Sequence, residues 1–522
     1  MLLSERLPLA ASRYPEAQAT VRNGQAMTYR ELHQQAERLG VGLLAEGLRP
    51  GDRVALLGEP DPLLVVALYA AVGIHAIPLA LSPSLTAVEC AAILEDAEPR
   101  ILIHDQRNAD KVLAITEMLV YPPKRIAVDE ASPNVPSLKS LMQHSRDSSL
   151  HPPADIKQHE DDTAVLIYTG GTTGRPKGVM HSHRSMAAWN QFTPSAGFGY
   201  DRERRVLVLN LSHLVGQFQL WATMAAGGCL IFLDEYPADV HRILAAVERD
   251  RVTHLSTVGQ LLRDITHEVS AARRDMRSLK VIGCGGSVIP PNTLQGAVAQ
   301  FPGALIVNNY SQAECGMSIS RLFPAQHLGH SHRLHSVGRP ADLAAQGEQA
   351  FQVRIVTMDG REAEANESGE IVVRGAQVMS GYWRQPDSTA AAMQGGWVRT
   401  GDAGYLDPDG YLYVMDRLKD MVIVGGSNVY CAEVEQVIAA HMAVRDAAVV
   451  GLPLPDEGER LVACVVLGAG GSMELDELQA WCEPRLAPHK WPTQLVVLES
   501  LPRTAVDKVD KKQLRKQLFP IS

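Results

Sequence analysis

The sequence predicts an α/β protein. A large N-terminal domain of parallel α/β sheet subdomains, 1–415, ends in a small β-barrel-like subdomain, and a small α+β C-terminal domain, 416–522, follows it. Three observations carry this reading. Short apolar strand candidates alternate with amphipathic helical patterns along most of the chain, as βα units in largely parallel sheets require. From about Phe351 the texture changes to short strands separated by turn signals: "FQVRIVTMDGRE", "GEIVVRG", "GYLDPDGYLYVMDR". The last unit then has its own strands and helices. A chain of 522 residues at roughly 150 residues per domain suits about three such units.

In order, the N-terminal "MLLSERLPLAAS" carries Glu5 and Arg6 inside a short apolar run and lacks a signal-peptide core. A helical pattern covers 29–45, and a strand 53–57. The apolar stretch 62–83 is long enough to span a bilayer. Gly73, His75 and Pro78 divide it, however, so a buried helix followed by a short strand is the expectation. Strands follow at 100–103 and 164–169. Between them, 129–162 is rich in Ser, Pro, His and Asp and reads as a long surface excursion. A helix is expected to start near Ser182. Strands at 206–209, 229–233, 279–282 and 304–307 alternate with helices such as 239–249. The final unit has strands at 447–451 and 461–467 and helices at 432–440 and 476–482. No internal repeat is visible.

Composition excludes several classes. Hydrophobic residues make up 46% of the chain, enough for a sizeable core, and the formal net charge is −10. With no long basic stripe, nucleic acid is an unexpected partner. The seven cysteines are scattered and form no C-x-x-C. That points to a reducing, cytoplasmic setting without disulfides or a zinc site. His327, His330, His332 and His335 cluster without Cys or acidic companions, which argues against a metal site. "HSH" at 181–183 reads as a helix-capping segment.

The stretch "YTGGTTGRPKGVMHSHRS", 168–185, concentrates glycine and threonine. It is not the common G-x-x-x-x-G-K-[ST] loop, because Arg175 and Pro176 separate Gly174 from Lys177. A strand, a Gly/Thr loop and a helix still aim backbone N–H groups and hydroxyls at an anion. Thr169, Gly170, Gly171, Thr172, Thr173, Gly174 and Lys177 are therefore phosphate-binding candidates.

This stretch resembles the core motif of the adenylate-forming superfamily, which includes acyl- and aryl-CoA synthetases, peptide-synthetase adenylation domains and luciferases. The resemblance runs in order along nearly the whole chain, through "NLSHLVGQ", "GCGGSVIP", "NNYSQAE", "GYWRQPDST", "GWVRTGD", "DRLKDMVIVGGSNVYCAEVE" and "LPRTAVDKVDKKQLR". It implies an N-terminal AMP-binding domain and a mobile C-terminal domain carrying a catalytic lysine. The activity implied is ATP-dependent activation of a carboxylic acid to acyl-AMP with release of pyrophosphate. Transfer to the thiol of CoA follows, or to the phosphopantetheine of a carrier protein.

The resemblance also implies roles. The Gly/Thr loop would cradle the β- and γ-phosphates, and Gly285, Gly286 and Ser287 would contact adenine. Asn309, Tyr310 and Ser311 complete the nucleotide set. Glu314 would hold Mg²⁺ on the ATP phosphates, consistent with a hard cation that keeps few protein ligands. Asp402 would accept from the ribose hydroxyls, beside Arg417. Lys419 takes the hinge position and Lys508 that of the catalytic lysine. His213 would gate the acyl pocket, which draws on Gln217, Gly285, Gly316 and Met317.

The pattern has departures. Gly171 replaces Ser, Ser311 replaces Gly, and Ala313 replaces Thr, as in some aryl-acid-activating members. Ser427 and Cys431 replace Glu and Pro, and Asp507 replaces the Gly before Lys508, where it threatens to pair with the ammonium. The Asp with which amino-acid-activating members hold an α-ammonium has no counterpart near 210–217. A plain carboxylic acid, aromatic or medium acyl, is the expected substrate. A catalytically inactive nucleotide-binding relative is the remaining alternative, opposed by the presence of Lys508, Glu314 and Asp402.

Overall fold

The computed structural model describes residues 1–129, 135–144, 157–169, 176–189, 205–236, 238–272, 274–286, 288–345, 351–424, 427–454, 458–468, 470–504 and 508–518. Local signals set its elements. Thr28 and Thr86 each cap a helix, Tyr29–Ala45 and Ala87–Ala97, and in both cases the Glu three residues on reaches back to the cap's own N–H. Asp61 caps the helix Pro62–Gly73, which starts on a proline.

That helix is buried on all sides, with Val65, Val66 and Ala67 at 0% exposure, so its sequence shows no polar stripe. The strand Ile77–Leu81 follows it. Among the described residues no helix is long and apolar enough to cross a membrane.

A seven-stranded sheet runs, in spatial order, Gly381–Tyr382, Lys177–Ser182, Thr163–Thr169, Ile77–Leu81, Arg53–Leu57, Ile101–His104, Lys124–Ala127. Its last five strands run parallel, and Lys177–Ser182 runs antiparallel to both of its neighbours. An eight-stranded sheet has six parallel strands, including Arg205–Val208, His254–Val258, Val281–Gly285 and Leu305–Gln312, and an antiparallel strand at either edge. A shared core joins helix Pro62–Gly73 to Trp189, Trp221 and strands of both sheets.

The strands Gln352–Val356, Gly369–Arg374, Trp397–Leu406 and Leu412–Arg417 form an antiparallel sheet with the short strand Met393–Gln394. A last sheet is built on the long pair Val444–Leu454 and Gly458–Leu467. The cores on its two faces draw only on residues from Val422 onward.

Two expectations need correction. The Gly/Thr loop does not lead directly into a helix. Lys177–Ser182 is a strand paired with Thr163–Thr169, and the helix His183–Ala188 follows, capped by Ser182. The polar stretch 129–162 is not all surface excursion. It contains the helix Leu138–His144, whose Leu138 and Leu141 enter the main core.

Candidate active site

Parallel strands end in a crevice at their carboxyl ends, where open α/β sheets bind ligands. Here Val281–Gly285 delivers Gly285 and Gly286 to that crevice, and Leu305–Gln312 delivers Asn309, Tyr310 and Ser311. Glu314 follows in the turn before the strand Gly316–Leu322. The loop residues Gly170, Gly171, Thr172, Thr173 and Gly174 lie outside the described residues, as do Ser287 and Asp507. The flanks of the loop are described. Thr169 pairs with Lys177 across the two strands, and the Lys177 ammonium lies 4.7 Å over the Tyr382 ring.

Tyr382 connects this flank to Glu314, since its hydroxyl donates to Glu314 Oε1 at 2.9 Å. Glu314 is also pinned through its carbonyl, which accepts from Met379 N–H at 2.8 Å. Among the described residues no side chain bonds its second carboxylate oxygen, and the residue is half-buried. A partly exposed carboxylate beside the flank of the Gly/Thr loop suits a hard cation such as Mg²⁺, which prefers oxygen.

Asp402 is 4% exposed. Tyr310 donates to its Oδ2 at 2.6 Å, and Gln312 Nε2 donates to the same oxygen. Arg417 Nε lies 2.8 Å from Oδ1. The antiparallel register of Trp397–Leu406 and Leu412–Arg417 sets Asp402 opposite Arg417. Burial raises the Asp402 carboxyl above its ordinary range, while Arg417, Tyr310, Gln312 and Lys508 pull it down. Burial would lower Arg417, but Asp402, Tyr310, Glu314 and Asp420 together keep it above its usual value. Burial pushes the Tyr310 hydroxyl well up, and Asp402 adds to this.

Lys508 reaches this cluster from the C-terminal unit. A short hairpin holds it: Thr504 N–H donates to the Lys508 carbonyl at 2.7 Å, and Lys508 N–H to Thr504 Oγ1 at 3.2 Å. The residue is exposed overall, yet its side chain comes close to the end of the strand Val281–Gly285. Cε stands 3.8 Å from where a Cβ on Gly286 would lie. Burial, then Arg417, lowers the ammonium below the ordinary lysine value, and Asp402 and Glu314 oppose this.

His213 caps the helix Leu214–Ala225, its Nδ1 accepting from Val215 N–H at 3.4 Å. Burial, then Lys508, pushes it down to about 4, so the ring is neutral at pH 7. Gln217 is 2% exposed, and its amide donates to the Leu211 carbonyl at 2.6 Å and accepts from Trp221 Nε1 at 2.8 Å. Its amide therefore ties the helix to the preceding turn. Gly316 has φ +78°, and a Cβ on it would lie 2.5 Å from Trp189 Nε1. Met317 is buried in the main core.

Lys419 lies exposed in the 3₁₀ turn Leu418–Asp420, directly after Arg417. Around it, Asp416 accepts from Ala432 N–H at 3.0 Å and Asp420 pairs with Arg515 at 3.2 Å. Ser427 lies in the strand Ser427–Val429, and Cys431 begins the next helix, its thiol 3.2 Å from the Asp420 carbonyl. Among the described residues, His181 belongs to no group of potential metal ligands. Its Nε2–H donates to the Ala313 carbonyl at 2.7 Å, and its ring packs edge-on against Trp189.

The profile of the AMP-binding enzyme family matches residues 7–383, and that of the AMP-binding enzyme C-terminal domain matches 433–508. The chain belongs to the AMP-binding enzyme family. It is 33% identical over 506 residues to a feruloyl-CoA synthase of Amycolatopsis sp, covering 96% of both chains. It is 30% identical to a fatty acid–[acyl-carrier-protein] ligase of Streptomyces coeruleorubidus, over 98% of this chain and 95% of that one. Its fold matches o-succinylbenzoate coenzyme A synthetase of Bacillus subtilis, in complex with ATP and a magnesium ion, with TM-score 0.82. That match has 30% identity and covers 98% of each chain. The family fold, an α/β N-terminal part with a small C-terminal domain, is the one described above.

Tyr382 and Gln312 were not among the sequence candidates. Tyr382 lies in the quoted "GYW" and Gln312 inside "SQAE", but only the folded chain shows that they bond Glu314 and Asp402.

Proposed function

We propose that this protein is an AMP-forming acid–CoA ligase, and that Lys508, Glu314, Asp402 and Arg417 are its working groups. The observation that supports this most is the convergence of Lys508, from near the end of the chain, on Gly286, Asp402 and Glu314. Forming acyl-AMP brings a carboxylate oxygen against the α-phosphorus of ATP. A C–O–P linkage forms, and the bond to pyrophosphate breaks. Two anions meet, so preorganised cations and donors at that point lower the barrier. Lys508 orients the carboxylate. Arg417 and the Asp402 carboxylate position the ribose. Glu314, held by Tyr382, would hold Mg²⁺, and the ion would neutralise charge on the phosphates. His213, uncharged at pH 7, lines the path of the acid without placing a second cation beside Lys508.

The acid is a plain carboxylic acid, aromatic or medium acyl. The feruloyl-CoA and o-succinylbenzoate relatives support an aryl substrate and CoA as acceptor. The carrier-protein ligase relative supports a second reading in which the thiol belongs to a carrier's phosphopantetheine. Seven buried free thiols suit a reducing, cytoplasmic compartment. Pyrophosphate release screened across aryl, fatty and α-amino acids, with CoA, with a carrier protein and with neither, tests the proposal. Release driven by aryl or fatty acids, with thioester formed on CoA, is expected. Release with α-amino acids alone overturns the substrate class.

A further inference from the structure

Three neighbouring strands open a trough on one face of the eight-stranded sheet. The half-buried positions are Ser256 and Val258 on His254–Val258, Gly283 and Gly285 on Val281–Gly285, and Asn309 and Ser311 toward the end of Leu305–Gln312. Register places Ser256 beside Gly283 and Gly285 beside Asn309. The two glycines leave the floor bare, but they differ. A Cβ on Gly285 would collide with the Asn309 carbonyl oxygen at 2.5 Å. A Cβ on Gly283 would meet nothing nearer than Asn309 Nδ2 at 3.6 Å and Ser256 Oγ at 3.7 Å. The trough has Lys508 at its Gly286 end. Three residues of strand, about 10 Å, separate that end from Gly283. This is the reach of a carboxylate, a short spacer and an aromatic ring.

The Gly283 end is polar and uncharged. Gln219, 4% exposed, donates through Nε2 to Ser256 Oγ at 2.9 Å, which leaves the Ser256 O–H free to donate. Ser318 Oγ donates to Asn309 Oδ1 at 3.1 Å, which fixes the amide with Nδ2 toward Gly283. Among the described residues that nitrogen makes one bond, a long one of 3.4 Å to the Val307 carbonyl. Ser318 is 2% exposed and holds φ +58°. Left-handed backbone in a buried non-glycine residue is strain of the kind that clusters at ligand sites.

We propose that Ser256 and Asn309 donate hydrogen bonds to a neutral oxygen at the far end of the acid, and that Gln219 and Ser318 position them; Asn309, expected among the nucleotide contacts, then serves the acid through its side chain. The substrate class is then an aryl carboxylic acid carrying a hydroxyl, methoxy or keto oxygen opposite its carboxylate. This rests on the acid-ligase reading above and refines it. A hydrocarbon tail would cover both half-buried donors and leave them unpaired, which is costly, and a site built for a substrate oxygen discriminates strongly against analogues lacking one. A distal carboxylate would need a cation, and none of these four side chains is charged.

The test uses two non-hydrolysable acyl-adenylate mimics, the 4-hydroxycinnamoyl and cinnamoyl sulfamoyl adenosines, titrated calorimetrically into the full chain. Pyrophosphate release with the two free acids is run alongside. The hydroxylated mimic is expected to bind about 10–100-fold tighter, the scale of one or two hydrogen bonds to a buried group. Ser256→Ala and Gln219→Leu should each shrink that preference to about threefold or less while leaving cinnamoyl affinity unchanged. Equal binding of the two mimics to the wild type overturns the donor pair but leaves the ligase reading standing. A variant that weakens both mimics alike makes Ser256 or Gln219 merely structural and also overturns it. Binding of neither mimic, with no release from any acid, removes the ligase reading and the inference together.

Discussion

Glu314 and Tyr382 show how a residue's role was partly legible. "QAE" marked the carboxylate by resemblance, but its restraint comes from a tyrosine 68 positions away in sequence. Glu314→Gln keeps the Met379 bond, which uses the backbone, and removes the charge. Acyl-adenylate formation should fall about 10²–10³-fold while the thermal midpoint stays within a few degrees. Pyrophosphate release across a magnesium titration, with a melting curve, checks both. Wild-type turnover at limiting magnesium would remove Glu314 from the site. Two histidines expected only to cap a helix have a second consequence. His181 and His183 are 0% and 1% exposed, and burial pushes each down to about 4. In the unfolded chain they titrate near the ordinary value of about 6.5. Between those values the unfolded state binds more protons than the folded one, so stability falls as pH drops from 6.5 toward 4 and is fully present above 6.5. The loss is on the order of 2–3 kcal/mol per histidine by pH 4. Urea midpoints at pH 7 and pH 5 should show it, and His183→Gln should remove only its own share, because His181 and His213 still titrate low.

At the scale of elements, strong local signals translated directly. The helix Tyr29–Ala45 and the strand Arg53–Leu57 fall where periodicity placed them, because a capping box starts the first and the second is a run of buried aliphatics. Two elements were illegible for physical reasons. The strand Lys177–Ser182 follows a glycine-rich loop and has polar ends, so only its pairing with Thr163–Thr169 makes it a strand. The helix Leu138–His144 is short, lies in polar surroundings and is stabilised by its packing into the main core. The trough between Ser256, Gly283 and Asn309 was equally hidden, because register across three strands, not any motif, creates it. Helix Leu214–Ala225 offers a sharp test of packing at the element scale. A Cβ on Gly216 would fall 1.4 Å from the Asn210 carbonyl oxygen, a backbone atom with no room to yield. Gly216→Ala should therefore shift the helix from its turn and destabilise the protein by more than about 2 kcal/mol. Chemical denaturation measures this, and a change under about 0.5 kcal/mol would show that the turn rearranges freely.

The whole molecule poses the question of how one crevice serves two reactions. Adenylation needs a cation at the carboxylate, and thiol attack needs an open path for a pantetheine arm to the same carbonyl. In this structure Lys508 points into the crevice, the arrangement adenylation requires. The C-terminal unit has separate cores on both faces of its sheet. Its attachment near Lys419 is a short turn flanked by the Asp416–Ala432 bond and the Asp420–Arg515 pair. A unit with its own core and a short connection can turn as a body, and rotation about Lys419 would withdraw Lys508 and clear the path. Lys508→Ala should then slow acyl-adenylate formation about 10²–10³-fold, the scale of one preorganised donor, and spare thioester formation from preformed acyl-adenylate. Lys419→Pro should do the reverse, because a fixed φ hinders the turn while the docked pose survives. The two half-reactions, assayed separately, decide it. Equal damage to both steps by Lys508→Ala would make that lysine structural. Intact thioester formation in Lys419→Pro would place the hinge elsewhere, and the rival reading, with both reactions in one fixed pose, would then have to explain how a thiol passes Lys508.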